Sequence, residues 1–250
     1  MIDLHCHLLP GIDDGPKTLE DALELCRIAV RNGIQKAVTT PHILPGIYDN
    51  TLASIMEAWL AFRSLLTEAG IALELGYAAE IRIDPNIISM VETDSLPVLG
   101  EFEGNRLILL ELPHTHIPPG CEELIHWLIK KEIRPLIAHP ERNHAVIPKP
   151  KRIEPFIKAG CLLQVTTGSL AGIFGDEPRA CAIELLKRGW VTVLASDAHN
   201  LHYRLPELEP GRVVAAGIVG EEESWAMVRE RPEQITRSNF AGIDALYNMY

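Results

Sequence analysis

The chain has 250 residues, 47% of them hydrophobic, enough to bury one large core in a single domain. Its 34 acidic residues outnumber its 23 basic ones, giving a formal net charge of -11. That balance argues against nucleic acid as the main partner, because affinity for a phosphate backbone comes largely from Lys and Arg. No apolar run is long enough to span a bilayer, and no basic-then-apolar leader precedes His5, so a protein that does not cross a membrane is expected.

Strand-like and helix-like segments alternate along the whole chain. Residues 2–4 open as a short strand, and Thr18-Leu19-Glu20-Asp21 resembles a capping box that starts a helix running to Gly33. A second strand is expected over 36–40, a helix from about Asn50 to Gly70, and a third strand over 71–77. Residues 107–110 are all apolar and read as a fourth strand buried on both faces. Helix 122–131 then leads into strand 135–138, helix 153–159 into strand 161–165, and helix 179–188 into strand 191–195. Further helix follows Pro206. Seven strands with intervening helices predict an α/β fold, a distorted (β/α)7 TIM-like barrel occupying residues 1–250 as one domain. Tyr247 and Tyr250 read as terminal packing or frayed residues.

Metal-ligand residue types recur close to the ends of these strands. His5 and His7 follow the first, with Asp14 in the loop beyond them; His42 follows the second, and Glu80 the third. Glu111 ends the fourth strand, His139 the fifth, and Asp197 with His199 the seventh. Side chains of an extended segment repeat every two residues, so both imidazoles of His5-Cys6-His7 leave on one side, and Asp197-Ala198-His199 repeats the device. Catalytic groups of parallel barrels gather at the carboxyl ends of strands. Any one of these residues alone reads as a hydrogen-bonded core residue, a turn residue or half of an ion pair; the joint pattern reads as a metal site. Mixed imidazole and carboxylate ligands suit Zn, Mn or Fe. Five histidines and four carboxylates exceed the needs of one ion, so two or three divalent ions with a bridging carboxylate are expected. The five cysteines show no Cys-x-x-Cys spacing, which fits free thiols in a reducing cytoplasm. None stands six residues before an arginine, so no cysteine phosphate loop is present and a thiol nucleophile is not expected.

The segments Met1-Ile2-Asp3-Leu4-His5-Cys6-His7, Asp13-Asp14-Gly15-Pro16, Thr40-Pro41-His42, Ala79-Glu80-Ile81, Leu110-Glu111-Leu112, Ala138-His139-Pro140-Glu141-Arg142 and Ser196-Asp197-Ala198-His199-Asn200 carry a resemblance. In order and extent they resemble the PHP (polymerase and histidinol phosphatase) superfamily of metal-dependent phosphoesterases. Within it, the chain is most similar to the bacterial tyrosine phosphatases of capsule and exopolysaccharide operons. Glu111, where many PHP proteins carry histidine, and the Asp-Asp-Gly-Pro segment favour that branch. The resemblance implies one metal on His5, His7, Glu80 and Asp197, and a second on Glu80, Glu111 and His139. Asp14, His42 and His199 would hold a third. It assigns Arg142 and Arg204 to the substrate phosphate and makes Mn the expected metal. It also points to a phosphotyrosine protein as substrate, the tail of a bacterial tyrosine kinase. Arg204 is followed by Leu205-Pro206 where the family often has two prolines, and Cys6 should point away from the metals.

The chemistry implied is attack on phosphorus by a hydroxide generated at the metals, with the two arginines offering planar donor forks to the phosphate. Three other readings compete: histidinol-phosphate phosphatase, a phosphodiesterase, and a non-catalytic metal-binding PHP module. The acidic charge counts against the phosphodiesterase and the full set of ligand types against the inert module. No residue of the sequence stands out as a general acid.

Overall fold

The computed structural model describes residues 1–247, and side chains as far as residue 241. The first strand, β1 (Ile2–Cys6), is buried throughout and runs through a loop into α1 (Leu19–Arg31). Thr18 caps α1 by accepting from the Asp21 backbone N–H, and the helix buries Ala22, Leu23, Leu25, Cys26 and Ala29 on one face. After β2 (Lys36–Thr39) and the two-residue β3 (His42–Ile43), Thr51 and Ser54 cap each other reciprocally to open α2 (Leu52–Glu68). The buried indole Nε1 of Trp59 donates to Leu75 O at 2.9 Å, tying α2 to β4 (Glu74–Tyr77).

The chain continues through β5 (Glu80–Arg82), α3 (Asn86–Glu92), β6 (Gly100–Phe102) and β7 (Asn105–Glu111). Then come α4 (Cys121–Lys130), β8 (Ile133–Ala138) and a 3-10 turn over Pro140–Arg142. A second such turn leads into α5 (Glu154–Ala159), followed by β9 (Leu162–Thr166), α6 (Thr167–Ala171), α7 (Asp176–Lys187) and β10 (Val193–Ala195). Helices α8 (Glu209–Val219), α9 (Glu221–Val228) and α10 (Glu230–Tyr247) close the described chain. The expectation for Tyr250, and for the side chain of Tyr247, lies outside what is described.

The sheets are mostly parallel. Strands β1, β2 and β4 form one, in that order; β10, β9, β8, β7, β5 and β3 form the other, with β6 antiparallel on β7. Short connectors join them: Thr40 N donates to Cys6 O at 2.8 Å and Ala78 N to Thr39 O at 2.9 Å. The segment after β10 lies along β1, where Asp197 N donates to His5 O and His7 N to Ala198 O, both at 2.8 Å.

Two strands differ from the sequence expectation in a way that bears on the site. Residues 36–43 and 74–82 are each two strand pieces, β2 with β3 and β4 with β5, and β6 is a further strand, so ten strands are present among the described residues rather than seven. His42 and Glu80 follow β2 and β4 as expected, and each also opens a short further strand, β3 and β5, in which they pair directly with each other in register. Helix α10 packs over β4 and β6, with Asn239 Nδ2 donating to Tyr77 O at 2.9 Å. Gly100 makes this contact possible: its φ is +148°, and a Cβ there would meet Ile235 O at 2.0 Å.

Candidate metal centre

All nine predicted ligand residues come together at one end of the sheets. Three groups of donor atoms lie within 4.8 Å of one another: His5, His7, Glu80 and Asp197; His7, Asp14, His42 and His199; and His42, Glu80 and Glu111. His139 stands against the first and third groups, its Nε2 2.7 Å from Glu80 Oε1. The close third group thus contains His42, where the resemblance places His139. Glu80, His7 and His42 are each shared by two of the groups. Except for Asp14, each of the nine is buried.

The local fold aims these groups. His5 lies within β1 and His7 just beyond it, on the same side, with Nε2 atoms 3.4 Å apart. The intervening Cys6 points the other way, donating its thiol to Val38 O. His139 and Asp197 each adopt positive φ, 30° and 53°, immediately or shortly after a strand end. Side-chain-bearing residues avoid that region, so both conformations are strain held by the surroundings, as functional sites commonly show.

Neighbouring residues fix which ring nitrogen faces inward. Gln164 Oε1 accepts from His139 N at 3.1 Å, which identifies it as the carbonyl oxygen, so His5 Nδ1 donates to it at 3.0 Å. His7 Nδ1 bonds Asp13 Oδ2 at 2.6 Å, and His199 Nδ1 donates to Asp197 O at 3.0 Å. The Nε2 lone pairs of His5, His7 and His199 are therefore left to the site, the arrangement that outer hydrogen-bond partners give to metal-bound imidazoles.

The donor set fits cations. His5 Nε2 lies 3.2 Å from both Glu80 Oε2 and Asp197 Oδ1, and His7 Nε2 3.3 Å from Glu80 Oε2. His42 Nδ1 is 3.2 Å from Glu80 Oε2, and His199 Nε2 3.3 Å from Asp14 Oδ1. Yet Glu80 Oε2, Asp197 Oδ1, His42 Nδ1 and His199 Nε2 are buried without a hydrogen-bond partner among the described residues. Buried polar atoms ordinarily find partners. Convergent lone pairs that do not satisfy one another are satisfied together by a positive ion.

The site is strongly anionic: against burial, Glu80 and Asp197 raise His5, and Asp13 and Glu80 raise His7 to about 10, protons that a bound cation would displace. Burial opposes charge on Glu80 and Asp197, but the surrounding histidines, and for Asp197 also Arg142 and Arg204, hold both well below the usual carboxylate range. Burial, helped by Arg142, lowers His139 to about 3, and burial beside His7 lowers His199 to about 4, so both stay neutral with a lone pair to give. Burial and the charge of Glu80 push Glu111 up to about 8, against the pull of Arg82.

Arg142 and Arg204 share one anchor. The Nη2 atoms of both bond Asp197 Oδ2, leaving Asp197 Oδ1 for the histidines. Arg142 Nε has no hydrogen-bond partner among the described residues, and the guanidinium lies 4.8 Å above the Phe174 ring. The loop carrying Arg204 is folded on Asn200, whose Oδ1 accepts from the N–H groups of His202, Tyr203 and Arg204.

Four participants escape the sequence pattern. Asp13, one residue from the predicted Asp14, buttresses His7 and also accepts from His42 N at 3.1 Å. Gln164 was signalled only as a polar residue inside an apolar strand. Arg82 shares a β5 face with Glu80 and bonds Glu111 Oε2 through Nε and Nη2, each at 2.8 Å. His114 faces Glu111 at 3.9 Å and stacks on His139. Buried Glu141, next to Arg142 in sequence, accepts from Thr166 N and Ser169 Oγ. The five thiols are free and buried. Burial raises Cys26, Cys161 and Cys181 to about 12 and Cys121 to about 11, and pushes Cys6 well above the usual thiol range, so none is a ready nucleophile.

A mostly parallel α/β scaffold that gathers imidazole and carboxylate donors beside two guanidinium groups defines the class, a protein whose site suits divalent cations. More particularly, the chain belongs to the capsular polysaccharide synthesis CpsB/CapC family, whose model matches residues 1–237. Tyrosine-protein phosphatase YwqE of Bacillus subtilis (strain 168) is 35% identical over 238 residues, covering 95% of this chain and 92% of that protein. A crystal structure from work on YwqE of Bacillus subtilis and CpsB of Streptococcus pneumoniae, described as unique metal-dependent tyrosine phosphatases, matches with a TM-score of 0.88 at 34% identity. That match covers 96% of this chain and 95% of that one. The fold is also similar to that of a phosphotriesterase homology protein from Escherichia coli, with a TM-score of 0.58 at 13% identity over 94% of this chain and 98% of that one.

Proposed function

We propose that the protein is a metal-dependent tyrosine-protein phosphatase acting in the control of capsule or exopolysaccharide synthesis. The observation that carries this reading is the convergence of unpartnered donor atoms around Glu80 and Asp197, with Arg142 and Arg204 both anchored on the outer oxygen of Asp197. We take His5, His7, Glu80 and Asp197 to hold one ion. Glu80 and Glu111, with His139 or His42, would hold a second, and Asp14, His42 and His199 a third. Mn is the ion proposed, with Fe or Zn as alternatives suited to the same donors. Bound divalent ions supply Lewis acidity and bring the pKa of water towards neutrality. Asp13 and Gln164 keep the imidazoles of His7 and His5 in the tautomer that offers Nε2. Arg142 and Arg204 present N–H groups to the phosphoryl oxygens and share the negative charge that builds up in displacement. A phenolate leaves more readily than an alkoxide, which favours phosphotyrosine over alkyl esters at a site without a dedicated acid.

The finer readings rest on the same features. A distorted (β/α)7 barrel is supported by the split strands β2/β3 and β4/β5 and by the hydrogen bonds between the segment after β10 and β1. The substrate proposed is the tail of a bacterial tyrosine kinase, met in the cytoplasm; buried free thiols suit that reducing compartment. Comparing kcat/KM on a phosphotyrosine peptide, a phosphoserine peptide, histidinol phosphate and a dinucleotide tests the reading. The phosphotyrosine peptide should be preferred, and a clear preference for histidinol phosphate or the dinucleotide would overturn it while leaving the metal centre standing.

A further inference from the structure

Beside the metal centre runs a groove of about 450 Å³ that none of the catalytic groups uses. One wall begins at Ile83, the residue after Arg82, and continues through Pro85 to Ile88 of α3. The other is the loop after β7, at Pro118, together with Leu124 and Trp127 of α4. Both walls are continuous with the site. Ile83 N donates to the carbonyl of Glu111 at 2.9 Å, and Arg82 bonds the Glu111 carboxylate. The β7 loop carries His114, exposed at its near end and facing Glu111 at 3.9 Å.

The groove is lined mainly by carbon, and Ile88 is one of the exposed large hydrophobic residues of the described chain. Its charged lining side chains, Asp84 and Glu123, are both acidic. A concave apolar surface of this size suits one or two side chains, and the acidic pair favours a cation beside them. A nucleotide or sugar phosphate would be repelled by that pair. A polypeptide carrying its phosphate into the metal centre would pass His114 and reach the groove a few residues later.

Resting on the phosphatase reading, we propose that this groove binds the polypeptide flanking the phosphotyrosine, taking an apolar side chain with a lysine or arginine next to it. The groove then selects among phosphotyrosine proteins, while the metal centre and the arginines act on the ester itself. Binding energy from residues remote from the reacting bond is how such a site gains discrimination without altering the chemistry.

The test uses p-nitrophenyl phosphate, too small to reach the groove, alongside phosphotyrosine peptides bearing Leu-Lys or Asp-Glu on either flank. Wild-type protein should show a KM lower by about tenfold or more for a Leu-Lys peptide than for its Asp-Glu counterpart. Ile88→Asp and Leu124→Asp should each erase that difference while leaving kcat/KM for p-nitrophenyl phosphate and metal content unchanged. Equal KM values for the two peptide types in the wild type would overturn the groove proposal alone, since p-nitrophenyl phosphate turnover reports separately on the phosphatase reading. A variant effect on both substrates alike would also overturn it. So would a shift from dimer to monomer on substitution, seen by sedimentation, which would make the groove a contact between copies of this chain.

Discussion

Asp197 gives one oxygen to the histidines and the other to two arginines, so changes on either side separate metal holding from phosphate holding. Arg204→Ala should lower kcat/KM for a phosphotyrosine peptide by about 10²-fold, the usual effect of removing a donor to developing charge. Metal content should stay at the wild-type level, because Arg142 still anchors Asp197. Parallel loss of metal would instead make Arg204 a support for the ligand. Asp13→Asn probes the partner of His7: weakening a carboxylate behind a metal-bound imidazole costs roughly 10–100-fold in metal affinity. Titration of metal-depleted protein measures this, and unchanged affinity would reduce the 2.6 Å bond to local packing. Thiol alkylation should leave turnover intact under native conditions, since every cysteine is buried and shifted upward. One-for-one loss of activity with modification of a single cysteine would contradict the metal mechanism. At this scale the sequence was informative wherever alternation applied, as at His5 and His7. It was silent on Asp13, because in Asp13-Asp14-Gly15 nothing in the pattern tells which carboxylate faces a metal and which faces an imidazole.

Long elements were legible and short ones were not. Helices α1, α2, α4 and α7 lie within a few residues of their predicted places because a 3.6-residue apolar period marks them, joined at α1 and α2 by side-chain caps. β3 has two residues and β5 three, too few to show any period, so the short strands that His42 and Glu80 open leave no mark in the sequence. The 3-10 turn at Pro140–Arg142 and the short α6 likewise leave no periodic signal. Helix packing around α6 offers an element-scale prediction. A Cβ on Gly211 of α8 would come within 2.6 Å of Thr167 backbone atoms, at the start of α6. Thr167 Oγ1 in turn donates to Glu207 O at 2.6 Å, close behind the Arg204 loop. Gly211→Ala should therefore destabilise the fold by about 1–3 kcal/mol, the usual cost of overpacking. Chemical denaturation measures it, and a neutral outcome would mean that α8 is free to move away from α6.

Over the whole molecule, the candidate metal centre joins strands that are otherwise connected only by their neighbours. Donors come from β1, β3, β5 and β7, from the ends of β8 and β10, and from the loop before α1. A ligand that binds only the folded state at 100 times its dissociation constant stabilises by about 2.7 kcal/mol. For a chain of 250 residues that corresponds to a rise in Tm of roughly 5–10 °C on adding Mn to depleted protein. The general α/β order was readable from alternating segments, but the strand breaks that bring His42 against Glu80 arise from pairing between distant segments. The central claim is that this gathered set of donors makes a metal-dependent phosphatase, and phosphate release from a phosphotyrosine peptide tests it most directly. The rate is measured on protein stripped of metal, verified by elemental analysis, and again after reloading with Mn. Turnover should fall to background when the metal is gone and return on reloading; full turnover by verified metal-free protein would contradict the account.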